Sequence, residues 1–92
     1  MSYQGWKNYE TWAVGLWIDN EQSTQEMMSE WARKASLGKN PRAVLADQIK
    51  ELVEENAPDL GATLYSDLLT AAISEVDWFE LAKNYLDEVV ED

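Results

Sequence analysis

Asn40-Pro41-Arg42-Ala43-Val44-Leu45-Ala46-Asp47-Gln48-Ile49-Lys50-Glu51-Leu52-Val53-Glu54-Glu55 shows the helical period in its plainest form in this 92-residue chain. Proline suits the first helical position, because the amide it lacks has no intrahelical partner there. Each residue turns by about 100°, so Leu45, Ile49, Leu52 and Val53 share one arc. Asp47, Glu51, Glu54 and Glu55 share the opposite arc. The spacing predicts a helix opened by Asn40-Pro41 and closed by Pro58, with an apolar stripe inward and carboxylates outward.

The same reading applied outward predicts an all-α fold: one domain over residues 1–92, a compact bundle of about five short helices. A first helix spans about Tyr9 to Asp19 behind an Asn8 cap, with Glu10 well placed in its first turn. Its apolar residues point in nearly every direction, the mark of a helix surrounded by others, so it is expected at the centre with Trp12 in the core. Gly15 costs about 1 kcal/mol in a helix interior relative to alanine, which predicts a close approach there. Ser23 and Glu26 have the spacing of a capping box for a second helix that Gly38 ends. A fourth helix is expected over about Ala62 to Ile73, with Leu64, Leu68, Leu69, Ala72 and Ile73 inward. Ser74 and Asp77 mark the start of a fifth, about Glu75 to Val90, whose core positions are Trp78, Ala82, Tyr85, Leu86 and Val89.

Charge is distributed unevenly along the chain. The formal net charge is −11, and residues 1–46 balance five acids with five bases. Residues 47–92 carry thirteen acids against Lys50 and Lys83 alone. On the fifth helix Asp77, Glu80, Asp87, Glu88 and Glu91 fall opposite the core positions, so two helices are expected to present carboxylate faces. Like charges at i,i+4 each cost a few tenths of a kcal/mol, whereas ordinary surfaces intersperse both signs. The plain reading is solubility. The sharper one is a row of carboxylates about 6 Å apart along a rod, imitating the dense negative line of duplex DNA. Either way the acidic half argues against direct contact with nucleic acid or an anionic membrane, and for a basic partner.

Cysteine and histidine are both absent, which excludes disulfides, thiol and Ser–His nucleophiles and zinc sites of the usual kind. No calcium loop, phosphate-cradling glycine loop or dinucleotide fingerprint occurs. The expectation is a binding protein and not an enzyme, with no cofactor and no metal. With no basic-then-apolar leader and no apolar run of about 20 residues, a cytoplasmic location is expected. The aromatic run Tyr3, Trp6, Tyr9, Trp12 and Trp17 fits core packing better than base stacking, because only Lys7 lies within it. Tyr3 and Trp6, ahead of the helix, are the ones expected to remain exposed.

Two stretches carry a resemblance. Trp6-Lys7-Asn8-Tyr9-Glu10-Thr11-Trp12, continued by Leu16-Trp17-Ile18-Asp19-Asn20, resembles the opening signature of a family of small uncharacterised proteins encoded by bacteriophages, plasmids and bacterial genomes. Ser74-Glu75-Val76-Asp77-Trp78-Phe79-Glu80, within the run from Tyr65, is similar to that family's second signature. The family supplies no catalytic residues. What the resemblance implies is context, since small acidic proteins of phages and plasmids often resemble inhibitors of host defence, including anti-restriction and anti-CRISPR proteins, several of which act as DNA mimics.

The functional expectation is therefore an inhibitor of a host nucleic-acid-binding defence system, acting in the host cytoplasm. It would occupy a basic protein or nucleoprotein through Asp47, Glu51, Glu54, Glu55, Asp77, Glu80, Asp87, Glu88 and Glu91. The rival is a helical interaction module or small adaptor, with a homodimer among its forms, using an apolar patch around Tyr3, Trp6, Met27 and Met28.

Overall fold

Each helix begins and ends close to where the sequence punctuates it. The computed structural model describes residues 3–57 and 59–90, so Pro58 and Glu91 lie outside the described residues. The described residues form five helices: α1 (Tyr9–Asn20), α2 (Gln22–Ser36), α3 (Pro41–Glu55), α4 (Leu64–Ser74) and α5 (Trp78–Val90). Among the described residues there is no strand, only a bridge between Tyr3 and Trp6. None of these helices is long and apolar enough to cross a membrane.

The caps account for the boundaries. Asn8 caps α1, its side chain accepting from the Thr11 amide. The Ser23–Glu26 capping box is not used. α1 runs on to Asn20 and leaves Glu21 as the joint, so α2 starts at Gln22 without a side-chain cap. The Thr24 hydroxyl in its first turn instead donates to the carbonyls of Ile18 and Glu21, covering the acceptors that the end of α1 exposes. Gly38 donates to the Ala35 carbonyl just past α2, but the left-handed residue of that turn is Asn40, at φ 54°. α5 begins three residues later than expected, because α4 continues through Ser74. Asp77 then caps α5 by accepting from the Glu80 amide.

The core is built from α2, α3 and α5, with one face of α1. Met28, Ala32, Leu45, Ile49, Leu81 and Ala82 are buried with Ile18. α5 packs on α1, α2 and α3, and this makes it, not α1, the central helix. α1 buries only Thr11, Gly15 and Ile18, which share a narrow arc, and Trp12 is half-buried. Its opposite side, with Tyr9 and Trp17, stays exposed. The all-round apolar pattern of α1 thus serves two faces, one in the core and one outside it.

The inward face expected for α4 is also corrected. None of its residues is buried, and Leu64 and Leu68 are 67% and 57% exposed. α4 makes no extensive packing with another helix and stands away from α1, leaving a groove between them. The long dimension of the molecule is 44 Å against 29 and 26 Å for the others.

Gly15 owes its place to an aromatic ring. A Cβ there would lie 3.2 Å from Trp6 Cζ2 and 3.5 Å from Leu81 Cδ2. Trp6 is brought over α1 by a tight turn in which Gln4 and Gly5 have φ of 52° and 91°, the pair of left-handed residues of a type I′ turn. Trp6 is therefore half-buried against the core rather than exposed. Tyr3 keeps 39% exposure while its ring sits 5.3 Å from Tyr9 and 4.9 Å from Trp12.

Candidate binding surfaces

The two motif segments of the chain meet in space. Thr11, fully buried, donates from Oγ1 to Asn8 Oδ1 at 2.6 Å and accepts the Asp77 amide at 2.9 Å. Asn8 Nδ2 donates to the Glu75 carbonyl at 2.7 Å. The Lys7 amide donates to Glu80 Oε1 at 2.9 Å, and Lys7 Nζ lies 3.9 Å from Asp77 Oδ2. Lys7-Asn8-Tyr9-Glu10-Thr11 and Glu75-Val76-Asp77-Trp78-Phe79-Glu80 thus form a clasp that fixes the start of α1 to the joint between α4 and α5.

This clasp changes what the acidic residues of α5 can offer. Asp77 and Glu80 are half-buried and engaged, as a helix cap and as an acceptor for the returning N-terminal segment. Asp87 is exposed but paired with Lys83 at 2.8 Å, and Phe79 and Lys83 are exposed on the same helix. α5 therefore lacks the nearly pure carboxylate face that the helical count suggests. Glu91 lies outside the described residues.

Asp47, Glu51, Glu54 and Glu55 are all exposed, as expected from their arc on α3. Among the described residues their carboxylates make neither a hydrogen bond nor an ion pair. They form the carboxylate row that remains available, about 12 Å from Asp47 to Glu55 at 1.5 Å per residue. Among the described residues no group of three or more acids has metal-ligating proximity.

Glu88 belongs to a second acidic corner, where the end of α1 meets α5. Tyr85 is buried, and its hydroxyl donates to Asp19 Oδ1 at 3.2 Å. Burial, then the Asp19 charge and this hydrogen bond, push the phenol well above its ordinary range. Partial burial and the Asp19 charge also push Glu88 upward. A phenol whose folded pKa lies above its unfolded value near 10 stabilises the fold fully below that pH. The contribution is lost as pH rises above about 10, where the unfolded chain ionises first. Alkaline unfolding should therefore steepen above about pH 10, and Tyr85→Phe should flatten it. An unchanged alkaline limb in the Phe variant would contradict this.

Of the patch expected around Tyr3, Trp6, Met27 and Met28, Tyr3 is exposed and Trp6 and Met27 are half-buried. Met28 is buried at 1% exposure, since its helix turns that side to α5. Instead Tyr9, Ala13, Val14 and Trp17 of α1 face Leu69, Ala72, Ile73 and Val76 across a groove of about 400 Å³, with Val53, Asn56 and Ala57 at its end. Among the described residues Glu10 is the one charged residue lining it, and no base does. The signal was present in the sequence as the too-apolar circumference of α1, which points to a second apolar interface as readily as to a central position.

The chain belongs to a family of unknown function, DUF7249, whose model matches residues 1–91. Comparison with curated proteins and with solved structures found no match.

Proposed function

We propose that this member of a family of unknown function is an acidic binding protein that engages a basic nucleic-acid-binding protein or nucleoprotein through the carboxylates of α3. The observation that carries this reading is the state of Asp47, Glu51, Glu54 and Glu55, exposed on one rigid helix and unpaired among the described residues. A rigid helix holds its charges in place before a partner arrives, so little ordering entropy is lost on binding. Spaced about 6 Å apart at i,i+4, the carboxylates offer a basic channel the kind of charge line it meets on a phosphate backbone. The resemblance to small phage- and plasmid-encoded proteins supports a role as an inhibitor of a host defence enzyme, of anti-restriction or anti-CRISPR type, working by DNA mimicry in the host cytoplasm. Of the α5 acids, Glu88 is exposed but belongs to the separate corner beside Asp19, whereas Asp77, Glu80 and Asp87 have structural partners.

The test is capture of the partner from host cells with the unaltered chain and with a Glu51→Lys, Glu54→Lys, Glu55→Lys variant. The variant should bind at least about tenfold more weakly, since rows of opposed charge cost several kcal/mol at an interface. Its helical circular-dichroism signal should be unchanged, because the substitutions lie opposite the core. Duplex DNA should displace the partner from the unaltered chain, and binding should weaken with salt. A partner that is retained equally by the variant, or is indifferent to DNA, overturns the mimic reading.

A further inference from the structure

We propose that the groove between α1 and α4 is a second binding site, which receives an amphipathic helix with an apolar face and basic flanks from another protein. The site is separate from the α3 row and stands without it. One wall is the α1 rail Tyr9, Ala13 and Trp17, spaced i, i+4, i+8, and the other is Leu69, Ala72 and Ile73 of α4. Tyr9 is 55% and Trp17 44% exposed, so about half of each aromatic surface is held open on a rigid helix, while Tyr3 and Trp12 pack on the rest of the Tyr9 ring. An eleven-residue helix such as α4 is about 16 Å long. That length accommodates three turns of a partner helix, which would seat anchors at i, i+4 and i+7 along the rail.

Charge selects among occupants. Among the described residues Glu10 is the only charged one lining the groove, and the chain around it carries −11. A second copy would bring another −11 to the contact. A helix flanked by Lys or Arg instead finds Glu10 at the groove and a negative field around it.

The experiment titrates the full chain with three synthetic 14-residue peptides: a Leu/Lys amphipathic helix, its Leu/Glu counterpart, and a scramble of the Leu/Lys sequence. Binding is read from amide and indole NMR shifts. The Leu/Lys helix should bind saturably and move Trp17, Ala13 and Leu69, with the other two peptides at least about tenfold weaker. Ala72→Trp, which fills the groove without changing charge at an exposed position, should weaken binding at least about tenfold, as should Trp17→Ser. Both variants keep the charge and leave the core untouched, so retained circular dichroism separates lost binding from lost folding. The Glu51→Lys, Glu54→Lys, Glu55→Lys variant should retain the Trp17 shifts, which distinguishes this site from the α3 row. Binding that survives Ala72→Trp, or that the α3 variant abolishes, overturns the proposal. So does equal binding of the Leu/Glu helix, or sedimentation showing a dimer that buries Trp17, which would give the groove to a second copy.

Discussion

Leu81→Ala should lower the free energy of unfolding by about 3–5 kcal/mol, the upper part of the range for a large-to-small change in a core that cannot collapse. Leu81 is fully buried on α5, the helix against which α1, α2 and α3 all pack. Its Cδ2 and the Trp6 ring both border the space that a Cβ at Gly15 would take. Neither neighbour can fill the space left by an isobutyl group, because Gly15 has no side chain and Trp6 is held by its turn. A domain of this size has a stability of roughly 5–14 kcal/mol, so one substitution removes a large fraction. Urea unfolding checks this: the midpoint should fall with the slope unchanged. A loss below about 1 kcal/mol would mean that α5 is not the centre of the bundle.

Leu81 also shows where sequence reading reached its limit. Its helix was legible, as were Ala82, Tyr85 and Leu86 as core positions, because their spacing follows the 3.6 period. Which helix would be central was not legible. A fully apolar circumference on α1 and a one-sided stripe on α5 argue for α1, and only the standing-off of α4 reverses the order. The positions of the α3 carboxylates were readable, since exposure on an amphipathic helix follows from the same arc count. The engagement of Asp77 and Glu80 was not, because their partners Lys7 and Thr11 lie 66 or more positions away. Helical periodicity carries no information about such distant pairs.

Thr11→Val should cost about 2–3 kcal/mol, although it keeps the shape and volume of the side chain. The hydroxyl it removes is the middle of the clasp, donating to Asn8 and accepting from the Asp77 amide. With a methyl in its place that amide has lost its acceptor beside a fully buried side chain. An orphaned buried donor costs about 1–3 kcal/mol, more than the net worth of the bond itself. The Asn8 carboxamide loses one of its donors in addition. Thr11→Ser keeps the hydroxyl and should recover most of the loss, giving up about the 0.8 kcal/mol of one buried carbon. Combining Thr11→Val with Asn8→Ala should cost less than the sum of the two, because both break the same network. Thermal or urea unfolding of the four chains checks the cycle. Equal stability of the Val and Ser variants would show that the hydroxyl contributes nothing.

The loose seating of α4 gives the molecule two tiers of opening. Amides of α5 and the inner turns of α2 and α3 can exchange with solvent only when the whole domain unfolds. Those of α4, whose side chains bury little, can exchange through a local opening at much lower free energy. Hydrogen exchange should therefore show α4 deuterating first, with the boundary falling at the clasp, where the Asp77 amide is tied to Thr11. A ligand seated against Leu69 and Ile73 would slow that exchange along the whole helix, turning the least protected segment of the chain into a built-in reporter of occupancy.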